Sequence, residues 1–382
     1  MSSIDTITAD GKRLSAGSKA PKGAKYRARW RTPNGASRTK TFVRKIDAAR
    51  HLASVTLTTA DGSYVDPAAG RATFGAFAIS WAAAQPHRPT TADHVERALR
   101  LYILPTFEAR PIASVRTSEI QAWVTSLELA PSTVRVTYGT LAAIFRAAEE
   151  DRAIPRSPCT RRVKLPRPHG AEVVPMTAEQ VRAIADGVDD RYRAFVVLLA
   201  GSGLRPAEGL GLTVDRVDFL RRALRVDRQL ITVTGRPPML APPKTTSSVR
   251  TIPVPGLIVD QLAQHLERYP ADADGMIFTN SRGRLIRRAD LSYLWRAGAR
   301  RAGVEGFTPH DLRHYAASVL IEQGASVKAV QRHLGHASAT TTLDVYSHLW
   351  PDSEEVTRRA LDAGLVGVVS PTCHDVHDVA HA

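Results

Sequence analysis

The chain has 382 residues, enough for two or three domains, and its 43% hydrophobic content is sufficient to build cores. Lys and Arg (52) outnumber Asp and Glu (37), and the +15 formal charge points to a polyanionic partner, most simply nucleic acid, or to solvated basic faces. Cys159 and Cys373 lie far apart and outside any CxxC pair, the N-terminal MSSIDTITADGKRL has no signal-peptide core, and the apolar run at 194–200 is too short to cross a bilayer. These features exclude a disulfide scaffold, a cysteine zinc site and a membrane span, so a soluble cytoplasmic protein is expected.

Residues 1–23, rich in Ser, Gly, Lys and Ala, predict a flexible basic lead-in. KYRARWR then alternates Tyr26, Ala28 and Trp30 against Arg27, Arg29 and Arg31, the period of a strand with one basic face. Pro33-Asn34-Gly35 marks a turn, 38–43 reads as the returning strand, and 45–58 as a helix with Ala48, Ala49, Leu52 and Val55 on one side. Such a module suits a DNA groove through Arg27, Arg29 and Arg31, or else carries a solvated basic face. After a linker at 62–71, residues 73–153 repeat apolar side chains at helical spacing, the core stripes of a four-helix-like domain. Residues 155–175 form a proline-rich basic linker whose Arg161, Arg162 and Lys164 suit a strap along phosphates.

Beyond it, 177–184 predicts a helix with Glu179 at its N-terminus, and 192–200 a buried apolar one. In GSGLRPAE, Arg205 precedes a proline that favours a first helical turn, so it should stand at a sharp junction beside Glu208. Taken alone, that pair reads equally well as structural. Residues 224–234 and 250–254 read as strands around APPKTTSSV, with Lys244 at the tip, where a lone lysine is ordinarily solvated. An amphipathic helix at 257–266, a short strand at 276–278 and an arginine-rich helix at 284–302 follow.

The densest stretch is 308–348. His310 and Arg313, three apart, should share a helical face opened by Pro309. Gly324 should end this helix, Ser326 should cap the next at 327–334, and Gly335 should break the chain ahead of His336. A third segment, 339–347, carries Tyr346. Two imidazoles, a guanidinium and a phenol converge through short connections, equipment for gripping and attacking a phosphate.

GLRPAE, the Lys244 loop, HDLRH, LGH and a tyrosine ten residues beyond His336 together resemble the tyrosine recombinase family, in particular phage-type integrases. The resemblance covers 172 to about 362, with the His336–Tyr346 interval one residue longer than in many relatives. More loosely, the preceding segments look like that family's core-binding and arm-binding domains. The implied fold is multidomain, mainly α with small β-sheets. Its parts would be a basic arm-type domain over 1–66, a helical core-DNA-binding domain with its linker over 72–168, a mixed α+β catalytic domain over 172–365, and a disordered tail over 366–382.

Phosphodiester cleavage builds negative charge on the non-bridging oxygens, which two fixed guanidiniums, Arg205 and Arg313, can hold. The resemblance implies that Tyr346 attacks phosphorus, leaving 3′-phosphotyrosyl DNA and a free 5′-hydroxyl. It implies Lys244 as general acid for that leaving oxygen, His310 as the aid to proton transfer at the tyrosine, and His336 as donor to a phosphate oxygen. Glu208 resembles the family's supporting acidic residue, and His333 reads as structural or DNA-facing. No metal, ATP or other cofactor is implied. The expected partners are double-stranded DNA at core and arm sites, a homotetramer passing through a Holliday junction, and DNA-bending and directionality factors, with no membrane. A helix at 353–365 would dock on the neighbouring subunit. The tail histidines His374, His377 and His381 read as a polar tail or a metal site.

Three other readings differ in their demands. A metal-dependent nuclease could use His310, His314, His333 and His336 as ligands, but no Asp/Glu cluster accompanies them. A silent DNA-binding protein on the same fold has no need of Tyr346. A type IB topoisomerase shares the cleavage chemistry, but the arm-like module and short catalytic region fit an integrase better.

Overall fold

The computed structural model of the chain describes all residues except 1, 9, 15–20, 34, 63, 67–68, 168–172, 351–353, 367 and 369–382. His374, His377 and His381 therefore lie outside the described residues. The chain divides into two compact units, 1–169 and 170–382. It is mainly helical with small sheets, as expected, and no helix among the described residues is long and apolar enough to cross a membrane.

In the first unit, strand β2 (Lys25–Arg31) runs antiparallel between β1 (Ser3–Ile7) and β3 (Ser37–Phe42). Strand β1 corrects the expectation of a flexible lead-in over its residues. Without it, one edge of β2 would leave its N–H and C=O groups unpaired. Ile7 turns inward, and buried Asp5 forms ion pairs with Arg13 (2.8 Å) and Arg29 (3.4 Å), so Arg29 of the basic face is partly neutralised within the sheet. Helix α1 (Lys45–Ala60) lays Ala48 and Leu52 against Ala28 and Trp30. The buried Trp30 indole donates to the Tyr64 hydroxyl at 2.8 Å, giving the ring the polar partner its burial requires.

The rest of the unit is helical, with α2 (Phe74–Ala84), α3 (Pro89–Ala98), α4 (Leu104–Phe107), α5 (Thr117–Ser126) and α6 (Pro131–Glu150). A π-helical turn, Leu99–Ile103, joins α3 to α4, and the Leu104 N–H reaches back five residues to the Leu99 carbonyl. It lies immediately ahead of Pro105, which has no N–H to donate. Phe74 packs against Phe145 and Phe107 with ring centroids 5.2 and 5.9 Å apart. The segment read as a loose strap is fastened to this core. Val163 is buried in it, and the Gln121 amide accepts from the Lys164 N–H (2.7 Å) and donates to its carbonyl (3.2 Å). Arg161, Arg162 and Lys164 thus stand exposed on an anchored segment.

In the second unit, α7 (Ala178–Gly187) starts from a reciprocal Thr177–Gln180 cap, and α8 (Asp190–Ser202) threads the core. After α9 (Pro206–Leu210) come β4 (Val217–Asp218), β5 (Ala223–Val226), β6 (Gln229–Ile231), β7 (Met239–Ala241) and β8 (Arg250–Pro253). Strand β5 pairs with β4 and β8, and β6 with β7. The single strand expected over 224–234 is therefore two. Asp227, ion-paired to Arg216, Arg225 and Arg228, sits at the break. Met276 makes only an isolated bridge to Thr213, where a short strand was expected. Helix α10 (Gly256–Arg268) matches expectation, and α11 (Arg288–Arg301) begins four residues later than expected. Helices α12 (Asp311–Glu322), α13 (Val327–Leu334), α14 (Ala339–Tyr346) and α15 (Glu354–Leu365) complete the unit.

Helices α7 and α11 touch through glycine. A Cβ on Gly187 would meet the Gly298 carbonyl at 2.5 Å, and one on Gly298 would meet Val188 Cγ1 at 2.4 Å. Gly298→Ala should therefore destabilise the protein by about 1–2 kcal/mol, overriding a helix-propensity gain of about 1 kcal/mol. Gly139 in α6 is exposed, and a Cβ there would meet nothing within 4 Å. Gly139→Ala should instead give a gain of about 0.5–1 kcal/mol. Urea unfolding of the two variants should move in opposite directions.

Candidate active site

The site forms where the C-terminal ends of α8 and α13 meet. Both helices end on a left-handed glycine, Gly203 (φ +62°) and Gly335 (φ +70°), as the sequence at Gly335 predicts. Each glycine is also required by space, since a Cβ on Gly203 would meet Leu334 at 2.9 Å and one on Gly335 would meet the Arg250 side chain at 3.0 Å. Arg313 closes this junction. Its two terminal nitrogens donate to the Gly203 and Leu334 carbonyls, each at 2.7 Å, satisfying helix-end acceptors that would otherwise be unpaired. Only 2% of Arg313 is exposed, so it is the buried arginine of the pair identified in the sequence, and three of its five N–H donors remain for other partners.

Arg205 stands at the start of α9, where the sequence places it. Its N–H and guanidinium donate to Glu208 at 3.0 and 2.7 Å, while about a third of its side chain stays open to solvent. Glu208 is 4% exposed and is shared with Arg250, whose guanidinium donates to it at 3.0 Å. Burial alone would raise the Glu208 carboxyl, but Arg250 and Arg205 overrule it and hold it below the ordinary carboxylate range. Arg250 was not identified from sequence. It also donates to the His333 and Ser248 carbonyls (2.8 and 3.0 Å), tying β8 to the end of α13. Two guanidiniums therefore share one carboxylate, and the third, Arg313, lies within electrostatic range of all three groups. Burial, and then Arg205, lower the pKa of Arg313 to about 9. The excess positive charge is what an oxyanion such as a phosphate would balance.

Helix α12 begins at Asp311 and not at Pro309, because the Thr308 N–H and hydroxyl both donate to the Asp311 carboxylate (2.6 and 2.7 Å) and fix the preceding turn. His310 is consequently the residue before the helix, yet its backbone is still helical (φ −71°, ψ −26°) and its carbonyl accepts from the Arg313 N–H at 3.0 Å, so the two stand on one turn as expected. Its surface is largely open, yet protein packed around the ring, then His314, Arg313 and Arg205, lower its pKa to about 4. His336 bonds the buried Thr342 hydroxyl through Nδ1 at 2.9 Å and stacks at 10° on Tyr346, with centroids 6.4 Å apart. Burial and the arginines take His336 to about 4 as well. When the Thr342 hydroxyl donates to Nδ1 of a neutral ring, Nε2 carries the hydrogen outward.

Tyr346 is 1% exposed, packed with Ala317, Ile321, Val330 and Leu334, and burial pushes its phenol up to about 12. Its hydroxyl is bonded to His314 Nδ1 at 2.8 Å, a contact the sequence reading missed although His314 lies inside HDLRH. His333 bonds the Ser202 carbonyl at 3.0 Å, consistent with a structural role. Lys244 follows β7 in the loop before β8, the loop in which the sequence reading placed it. It is exposed and makes no hydrogen bond or ion pair among the described residues. Within those residues no three or more His, Cys, Asp or Glu side chains gather as metal ligands, so the four histidines do not form a metal cluster.

Residues 175–352 match the phage integrase family. A XerC-like tyrosine recombinase of Caldanaerobacter subterraneus is 27% identical over 69% of this chain and 75% of its own length. A putative prophage phiRv2 integrase of Mycobacterium tuberculosis is 26% identical over 81% of this chain and 84% of its own. In fold, the chain is similar to the Tn1549 transposon integrase solved with circular intermediate DNA, at a TM-score of 0.66 and 23% identity over 77% of this chain and 99% of that one.

Two outcomes follow from the charge arrangement. Glu208→Gln leaves two arginines facing a neutral amide and should lower stability by about 3 kcal/mol in urea unfolding. His310 and His336, held near 4 against an ordinary 6.5, favour the folded state only while neutral. That contribution is complete above pH 6.5 and lost as pH falls toward 4. Melting temperature should drop over this window, and less steeply in His336→Asn.

Proposed function

We propose that this chain, whose residues 175–352 match the phage integrase family, is a tyrosine recombinase, and that Tyr346 is the nucleophile with which it cleaves and rejoins duplex DNA. Support comes above all from two guanidiniums sharing one carboxylate with a third, Arg313, in electrostatic range, an excess of positive charge beside a buried phenol. Arg205 binds a non-bridging oxygen from the open side, Arg313 holds the backbone and electrostatic frame behind it, and His336 donates to a second oxygen through Nε2. Lys244, free to move on its exposed loop, protonates the leaving 5′ oxygen. Glu208 fixes Arg205, and His310 lines the phosphate side of the site. The phosphotyrosyl bond conserves the energy of the phosphodiester, so rejoining to another strand needs neither ATP nor metal.

In this reading the catalytic domain spans 172–365, with core-DNA-binding over 72–168 and arm-type binding over 1–66 through Arg27, Arg29 and Arg31. Arg161, Arg162 and Lys164 follow the backbone from their anchored segment. The working assembly is a homotetramer on two DNA sites, helped by bending and directionality factors, in the cytoplasm. The λ integrase, of similar fold, has been solved as a tetramer on a Holliday junction. Helix α15 docks on the neighbouring subunit.

The test is covalent trapping on nicked duplexes cut from DNA flanking the coding sequence, run with chelator on a denaturing gel. Wild type should give a protein–DNA adduct and Tyr346→Phe none. Lys244→Ala should slow adduct formation by at least about 100-fold. An adduct that persists in Tyr346→Phe would overturn the assignment of the nucleophile.

A further inference from the structure

The proton on Tyr346 has a nearer acceptor than His310, the residue to which the resemblance gives it. His314 sits one helical turn into α12, and its Nδ1 lies 2.8 Å from the Tyr346 hydroxyl. His310 makes no hydrogen bond or ring contact with the tyrosine among the described residues, and it meets His314 edge-on with ring centroids 5.1 Å apart and planes at 85°. His314 in turn meets the phenol at 5.5 Å and 62°. The groups facing the His314 imidazole are Asp311 and Arg313 from its own helix, His310 from the turn before it, and Tyr346 from α14, on whose far side His336 stacks.

We infer that His314 is the base that takes the Tyr346 proton as the phosphotyrosyl bond forms, and returns it when the strand is rejoined. This rests on the assignment of Tyr346 as the nucleophile. In cleavage the Tyr346 Oη–P bond forms and the P–O5′ bond breaks. The phenolic proton passes to His314 Nδ1, and Lys244 supplies a proton to O5′. In rejoining both protons retrace their paths. Geometry carries the assignment, because a general base must lie within about 2.6–3.2 Å of the atom that gives up the proton, and His314 Nδ1 meets that condition. The chemistry agrees. Burial lowers the His314 pKa; Asp311 opposes the shift and Arg313 adds to it, so the ring is neutral at pH 7 with a nitrogen lone pair to offer. A phenol pushed up to about 12 needs such an acceptor, since almost none of it is ionised at neutral pH.

The discriminating variant is His314→Asn, whose side-chain amide reproduces the position of Nδ1 and can hold the hydrogen bond but cannot accept the proton. On the nicked duplex that gives a wild-type adduct, this variant should bind DNA normally and form adduct at least about 100-fold more slowly. Its rate should also lose the acid limb that wild type shows as His314 becomes protonated. A duplex with sulfur in place of the bridging 5′ oxygen needs no proton on its leaving group. It should rescue Lys244→Ala and leave His314→Asn slow.

Wild-type rates in His314→Asn, or its rescue by the sulfur substrate, would overturn the inference. Should His314→Asn fail to fold, His310→Asn decides: the acid limb survives if His314 is the base and disappears if His310 is. Absence of any adduct in wild type would overturn the Tyr346 assignment itself. That result differs from a wild type that reacts and a His314→Asn that reacts equally well.

Discussion

Glu208 is the carboxylate on which the arginines of the site converge. It lies in the first turn of α9, accepts from the Arg205 N–H and guanidinium, and receives Arg250 from β8, 42 residues later in the chain. Two separate pieces of chain, the start of α9 and β8, are thereby held at fixed spacing by one buried charge. Arg313 does the same with backbone, joining the ends of α8 and α13 through two carbonyls. Carboxylate and carbonyls supply less negative charge than the guanidiniums bring. The interior is stable enough to fold and remains receptive to an anion. Burial, with that imbalance added to it, keeps His310 and His336 neutral here, and an arriving phosphate would raise both pKa values, coupling DNA binding to proton uptake below pH 6.5.

Local features of the site were legible because they are set by neighbours in sequence. Ser326 and Gly335 bound α13 as their residue types dictate, and Arg205-Pro206 makes the helix start that proline favours. Arg313, His336 and Tyr346 converge because short connections allow little else, whereas Arg205 and Glu208 join them from the far side of five strands and two helices. What escaped was set at a distance. Arg250 looks like an ordinary edge-strand residue until it meets Glu208. Thr342 reads as one of three consecutive threonines, and only its contact with His336 distinguishes it. His314 was within reach, sitting beside Arg313 on the same helix, but periodicity cannot tell which of two neighbouring imidazoles meets a tyrosine 32 residues on.

Outside the site, the misreadings share a cause. Composition made 1–23 look featureless, yet Ser3–Ile7 pairs with β2 in register because an open edge beside KYRARWR is costly. The proline-rich basic stretch resembled a linker, and Val163, Cys159 and Leu165 packed inward, with hydrogen bonds from Thr117, Gln121 and Arg135 to its backbone, fasten it. In both cases a few polar backbone groups seeking partners outweighed the average character of the segment.

The π-helical turn between α3 and α4 has a consequence for chain length. Leu99–Ile103 holds one residue more than a regular α-helix would need to reach Phe107. Removing that residue would let the turn close to regular α spacing, because the extra residue is held within the one widened turn. Val95 and Ala98 would keep their places against the core, and exposed His94 and Arg97 would keep their bearing. A residue gained or lost at this point is thus absorbed where it falls, and the side chains that the flanking helix displays stay where they are.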